Sequence, residues 1–133
     1  MDRRIFYLRK RIHENLEHDW TVEELSKSIG ISPPHLQRLF KSTLGTPPIT
    51  YLRDLRLEKA RELLKAEDEF YQVSEIGCKV GIFSSSHFTR DFKRKFGVTP
   101  SEYRRRYWER LLQQQQQAVN QNEKTVNQDE KKG

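Results

Sequence analysis

Two stretches of this chain repeat one another, and the repeat limits the fold more than any other feature. At a shift of 51 residues, Val22, Glu24, Leu25, Ile29, Gly30 and Ile31 fall on Val73, Glu75, Ile76, Val80, Gly81 and Ile82. Phe83 is then one inserted residue. At a shift of 52, Ser32, His35, Leu36, Arg38, Phe40, Lys41, Leu44, Gly45, Pro48 and Tyr51 fall on Ser84, His87, Phe88, Arg90, Phe92, Lys93, Phe96, Gly97, Pro100 and Tyr103. The apolar positions recur at helical spacing, so each copy builds the same buried face. The outward pairs Arg38/Arg90 and Lys41/Lys93 recur too, and burial does not require that.

Each copy reads as two helices around a tight turn. In the first, Thr21 to Glu24 forms a capping box, and Val22, Leu25 and Ile29 face inward up to Gly30. Ser32 caps and Pro33 opens the next helix, with Leu36, Leu39, Phe40 and Leu44 inward and Gly45 as its stop. The turn Gly30-Ile31-Ser32 has helix-turn-helix length and chemistry. In the second copy Val73, Ile76 and Val80 precede Gly81. Ser84 then caps a helix with Phe88, Phe92, Lys95 and Phe96 on one face and Ser85, Ser86, Thr89, Arg90 and Lys93 on the other.

The flanking segments are helical as well. Ile5, Leu8, Ile12 and Leu16 make a stripe over about residues 3–17. A long helix over about 48–66 carries Tyr51, Leu52, Leu55, Ala60, Leu63 and Leu64, and a short acidic loop follows at 67–72. A capping box from Thr99 to Glu102 opens a last helix with Tyr103, Tyr107, Trp108, Leu111 and Leu112. No segment alternates as a strand would. The expectation is an all-α fold of seven helices. Two helix-turn-helix subdomains, about 21–45 and 72–97, are joined by a long central helix within a domain of residues 1–112. The Gln-rich tail, 113–133, is polar, low in complexity and without an apolar heptad. It is expected to be disordered, with the last helix fraying into it.

The chain carries a net charge of +6, and the tail's three lysines and three acidic residues cancel. The whole excess therefore lies on residues 1–112, which points to a polyanionic partner. A single cysteine, Cys78, excludes an intramolecular disulfide and fits a reducing compartment. It reads as a packed thiol, since no His or Asp stands at a spacing that would activate it. His35 and His87 read as partly buried hydrogen-bonding groups, because no ligand cluster surrounds them. No paired carboxylates or phosphate-cradling loop favour an enzyme, and no run favours a membrane span.

The chemistry lies on the outward faces of the third and sixth helices. Arginine can grip guanine, and glutamine adenine, through two hydrogen bonds each. Arg38 shares its face with Pro34, Gln37 and Lys41. Arg90 shares its face with Ser85, Ser86 and Thr89, whose hydroxyls discriminate bases poorly. Lys41, Lys93, Arg94 and Arg104 are placed for phosphates.

These residues resemble the AraC/XylS family of bacterial transcription regulators over about residues 3–110. The carriers are Gly30 to Lys41, Gly45 to Tyr51, Arg56 with Ala60, and Val80-Gly81 followed by Phe88, Arg90, Phe92 and Lys93, then Gly97 to Arg104. The resemblance implies a sequence-specific regulator of double-stranded DNA, an activator engaging RNA polymerase, with its third and sixth helices in successive major grooves. It implies base contacts at Pro34, Gln37 and Arg38, and the matching set on the sixth helix is Ser85, Ser86, Thr89 and Arg90. No cofactor or metal is expected, nor a membrane, and the chain is expected to act as a monomer on DNA in the cytoplasm with the nucleoid. Departures from the family pattern are Gly77 for alanine, Ile82 for phenylalanine, Pro47 where Thr99 stands in the second copy, and Gln72 where Thr21 caps in the first. Gly77 is expected to weaken its helix by about 1 kcal/mol, and Thr46 to replace the missing cap at Pro47. The alternatives are a nonspecific nucleic-acid binder and an output module of a larger ligand-sensing or repair protein.

Overall fold

The computed structural model of the protein describes residues 1–67 and 70–132, with 125–132 described by backbone only. Asp68 and Glu69 of the acidic loop, and Gly133 of the tail, lie outside the described residues. The described residues form α1 (Arg3–Glu14), α2 (Val22–Ser28), α3 (Pro33–Leu44), α4 (Pro48–Leu64), α5 (Val73–Lys79), α6 (Ser85–Phe96) and α7 (Pro100–Lys132), with no strand among them.

The repeat holds down to single hydrogen bonds. Ser32 and Ser84 each accept from the backbone N–H three residues on, His35 and His87, at 3.3 Å. Gly45 and Gly97 end α3 and α6 at the same left-handed φ of 84°. In both turns the amide after the glycine reaches back across the turn: Ile31 to the Ser26 carbonyl at 3.1 Å, Ile82 to the Gly77 carbonyl at 2.8 Å. Tyr51 stands edge-on to Phe40 at 5.5 Å, and Tyr103 to Phe92 at 5.8 Å. The inserted residue, Phe83, is absorbed in the second turn and is 70% exposed.

Two separate cores result. Ile5, Leu8, Ile12, Trp20, Leu25, Leu36, Phe40 and Leu52 form the first. Leu57, Ala60, Leu64, Ile76, Val80, Phe88 and Phe92 form the second. α4 serves both, and its buried face changes between Leu52 and Leu57. Those positions lie about 140° apart around a helix that turns ~100° per residue. A single-stripe reading of α4 therefore omits Leu57, which is buried, and includes Leu63 and Leu55, which are only partly so.

α1 stops at Glu14, three residues short of the expected end, because the carbonyls beyond it bond to side chains instead. Trp20 donates through Nε1 to the Asn15 carbonyl at 2.8 Å. Arg56 on α4 donates through Nε to the Leu16 carbonyl at 3.0 Å and through Nη2 to the His18 carbonyl at 2.7 Å. The Asn15 carbonyl also accepts from the His18 amide at 3.3 Å and the His18 carbonyl from the Trp20 amide at 2.9 Å, so backbone and side chains close this corner together.

Several expectations are corrected. α7 continues through the tail to Lys132, so the segment expected to be disordered is helical. It holds no proline or glycine before Gly133 and is rich in Gln, Glu and Lys, all good helix formers. No side chain caps α4 at Pro47, so Thr46 does not substitute; Gln72, as its departure from Thr21 implied, makes no side-chain cap bond to α5. Cys78 is exposed rather than packed. His87 is exposed, while His35 is half-buried. Gly77 is a fitted residue. A Cβ there would come within 3.0 Å of the Ile82 carbonyl oxygen and 3.2 Å of the Phe88 ring. The repeat matches Gly77 and Phe88 to Ser26 and the smaller Leu36, and the phenylalanine at position 88 takes up the space a side chain at 77 would need.

Candidate nucleic-acid interface

α3 and α6 are held from behind by their rings. Phe40 is fully buried under α3, and Phe88 and Phe92 under α6. Anchored rings leave the opposite faces free, and Pro34, Gln37, Arg38 and Lys41 on α3 are all exposed. On α6, Ser85, Ser86, Arg90, Lys93 and Arg94 are exposed and Thr89 is half-buried. Each set thus shares one open helical face, as the spacing requires.

The cations differ in their ties. Among the described residues Arg38, Lys41, Lys93 and Arg94 have no ion-pair partner. Arg90 leans on its neighbour Asp91, Nε to carboxylate at 3.4 Å, with its side chain 58% exposed. Lys95, on the inner side of α6, pairs with Asp54 at 3.7 Å and Glu58 at 3.9 Å, fastening α6 to α4. Arg104 is half-buried with its guanidinium 4.6 Å from the Phe70 ring centre, and burial pushes its pKa below the usual arginine range. It is tied down in a way the other three phosphate candidates are not.

Arg56 fixes the two halves relative to one another, a role its sequence position did not reveal. Besides holding the α1–α2 corner, its guanidinium lies against the second turn. A Cβ on Gly81, at φ +93°, would sit 2.9 Å from the Arg56 Cζ. Burial lowers the Arg56 pKa, and the nearby Asp19 partly restores it. An arginine stays charged under such shifts.

Two grooves adjoin between the outward faces of α3 and α6 and share one residue. Ile49, at the start of α4, lines a shallow groove with Pro33, Pro34 and Gln37 of α3. It also lines a second groove of about 420 Å³ with Arg53, Arg56, Ser84, His87 and Arg90. Arg53 was not singled out from the sequence. The repeat could have found it, since the shift of 52 places Arg53 on Arg105 just as it places Arg38 on Arg90. Among the described residues no group of His, Cys, Asp and Glu could hold a metal ion, and no helix is long and apolar enough to cross a membrane.

Comparison with known proteins agrees with this arrangement. The family model described as "Helix-turn-helix domain" matches residues 25–106. The chain is 32% identical over 104 residues to the HTH-type transcriptional regulator MtrA of Neisseria gonorrhoeae, covering 78% of this chain and 34% of that protein. It is 39% identical over 89 residues to the RCS-specific HTH-type transcriptional activator RclR of Escherichia coli, covering 67% and 31%. The chain thus spans about a third of the length of the curated relatives it matches. Among solved structures, the DNA-binding domain of AdpA, a global transcriptional factor in complex with a target DNA, superposes with a TM-score of 0.76 at 28% identity. That match covers 82% of this chain and 96% of the other. The C-terminal domain of AraT, a response regulator from Geobacillus stearothermophilus, gives 0.72 at 32% identity, covering 78% and 85%. With its paired helix-turn-helix units and these relatives, the chain belongs to the AraC/XylS family of DNA-binding transcription regulators.

Proposed function

We propose that this chain binds double-stranded DNA sequence-specifically, with α3 and α6 in successive major grooves, and that it activates transcription through RNA polymerase. The observation that carries this reading is the pair of equivalent helices on one linker, each with buried rings behind and an open polar and cationic face in front. Arg38 and Gln37 have the groups to read guanine and adenine, and Pro34 offers an apolar contact to a thymine methyl. Ser85, Ser86 and Thr89 add weaker readout, leaving Arg90 the main discriminator on α6. Lys41, Lys93 and Arg94 face phosphates, with Arg104 a weaker fourth. DNA binding needs no cofactor, and the chain resides with the nucleoid. The word "activator" in the name of RclR supports the direction of regulation.

Two variants test the readout. Arg38→Ala should cost about 1–3 kcal/mol at the preferred site and relax base preference beneath α3. Lys41→Ala should weaken all sequences alike and flatten the salt dependence by about one unit. Site selection from a random pool, with binding measured across salt concentrations, separates the two. An unchanged consensus for Arg38→Ala would leave that arginine a surface or phosphate charge.

A further inference from the structure

The groove between α4 and the N-terminal half of α6 holds one positive charge that the fold does not use. Of the arginines that line it, Arg56 is bonded to the Leu16 and His18 carbonyls and Arg90 engages Asp91, its one acid, which leaves Arg53. Arg53 is exposed and has no hydrogen bond or ion pair among the described residues. Its neighbours one turn away on α4 are Ile49, Thr50, Arg56 and Leu57, so no carboxylate stands at helical reach. Asp54 and Glu58, the nearby acids of α4, are taken by Lys95. Arg56, three residues on, is a like charge whose Nε and Nη2 are spent on the Leu16 and His18 carbonyls, so it offers Arg53 no partner. The repeat supplies the contrast. Arg105, the counterpart of Arg53 on α7, is held by Glu109 at 3.3 Å and Glu102 at 3.7 Å.

The position of this charge matters as much as its amount. Ile49 borders both the groove beside the α3 face and the groove beside the N-terminal half of α6. Arg53 is one turn along α4 from Ile49. It stands on the surface that bridges the two reading helices. A duplex that offers two successive major grooves to such a pair presents a phosphate-bordered minor groove between them. Ser84 and His87 add polar groups at the rim.

Resting on the DNA-binding reading above, we propose that Arg53, in the groove between α4 and α6, grips a backbone phosphate between the two major grooves. Arginine suits this role through its planar fork of donors, which matches phosphate oxygens. The contact makes α4 a third DNA-binding element and fixes the spacing of the two readers on the duplex.

The test is Arg53→Gln in the full chain, with Arg105→Gln as a control of equal charge change. Each is titrated with the preferred duplex and with random duplexes between low and moderate salt, after melting curves confirm folding. Arg53→Gln should bind every sequence roughly tenfold more weakly near 0.1 M salt, with a salt slope shallower by about 0.9, the share of one phosphate. Arg105→Gln should match wild type in slope. A slope and affinity for Arg53→Gln equal to wild type would overturn the proposal. So would a changed base preference midway between the readers, since that marks an arginine inside the minor groove. If wild type showed no sequence preference while Arg53→Gln still flattened the slope, specific readout would fail and the phosphate contact would stand.

Discussion

Phe92→Ala should cost about 3–5 kcal/mol, the range for removing a buried ring. Phe92 is fully buried. Its ring lies 4.6 Å from Phe96, 5.8 Å from Tyr103 and 5.9 Å from Phe88, centre to centre, so one truncation removes the hub of three ring contacts. Aromatic pairs add about 0.5–1.5 kcal/mol beyond their buried area, which places this site at the upper end. A small domain has only about 5–15 kcal/mol in total. The loss should also be local, because none of the four rings belongs to the first core. Hydrogen exchange should show α5 and α6 amides losing protection while α1 to α3 keep theirs. Equal loss in both halves would mean that the two units unfold as one body.

Arg56→Ala should destabilise the protein by roughly 2–4 kcal/mol, since hydrogen bonds from a charged donor contribute about 1.5–3 kcal/mol each. The carbonyls of Leu16 and His18 would lose their side-chain donor, and the Gly81 turn would lose the guanidinium packed on it. Arg56→Lys should recover only part of this, because a single ammonium lacks the fork that reaches two carbonyls at once. The expected functional consequence is selective. With the units less firmly set, affinity for a full two-groove site should fall more than affinity for a half-site. A melting temperature equal to that of wild type would show that the strut adds nothing.

The turns were legible in the sequence because their causes are local. Ser32, Gly45, Ser84 and Gly97 fix helix ends through bonds spanning three or four residues, and all four stand where the spacing placed them. The repeat added the open faces of α3 and α6, since outward arginines had no reason in packing to recur. What escaped notice depends on distance along the chain. Arg56 meets carbonyls 38 and 40 residues away, and no periodicity reports that. Leu57 escapes a single-stripe pattern because α4 packs two cores on different sides. Gly77 looked like a weak helix residue until Phe88 was seen to lie against it. The tail misled through its composition: glutamine signals low complexity and yet suits a helix well. Arg53 is exposed on α4, so the burial pattern that defines the helix carries no signal of it.

In the proposed binding mode one chain fills two grooves. α4 has 17 residues, about 26 Å at ~1.5 Å each, and with the turns at either end the readers come near one DNA turn apart, ~34 Å. The two reading faces differ, with Pro34, Gln37 and Arg38 on one and Ser85, Ser86, Thr89 and Arg90 on the other. On the proposed reading, a linker that stays rigid requires that the duplex bend or that α6 bind the weaker of the two half-sites. Native mass measurement of the complex formed on a duplex selected from a random pool tests this most directly. The predicted result is one chain on an asymmetric site about two helical turns long, with the α3 half-site more sharply defined. Two chains bound cooperatively to a palindrome would contradict it.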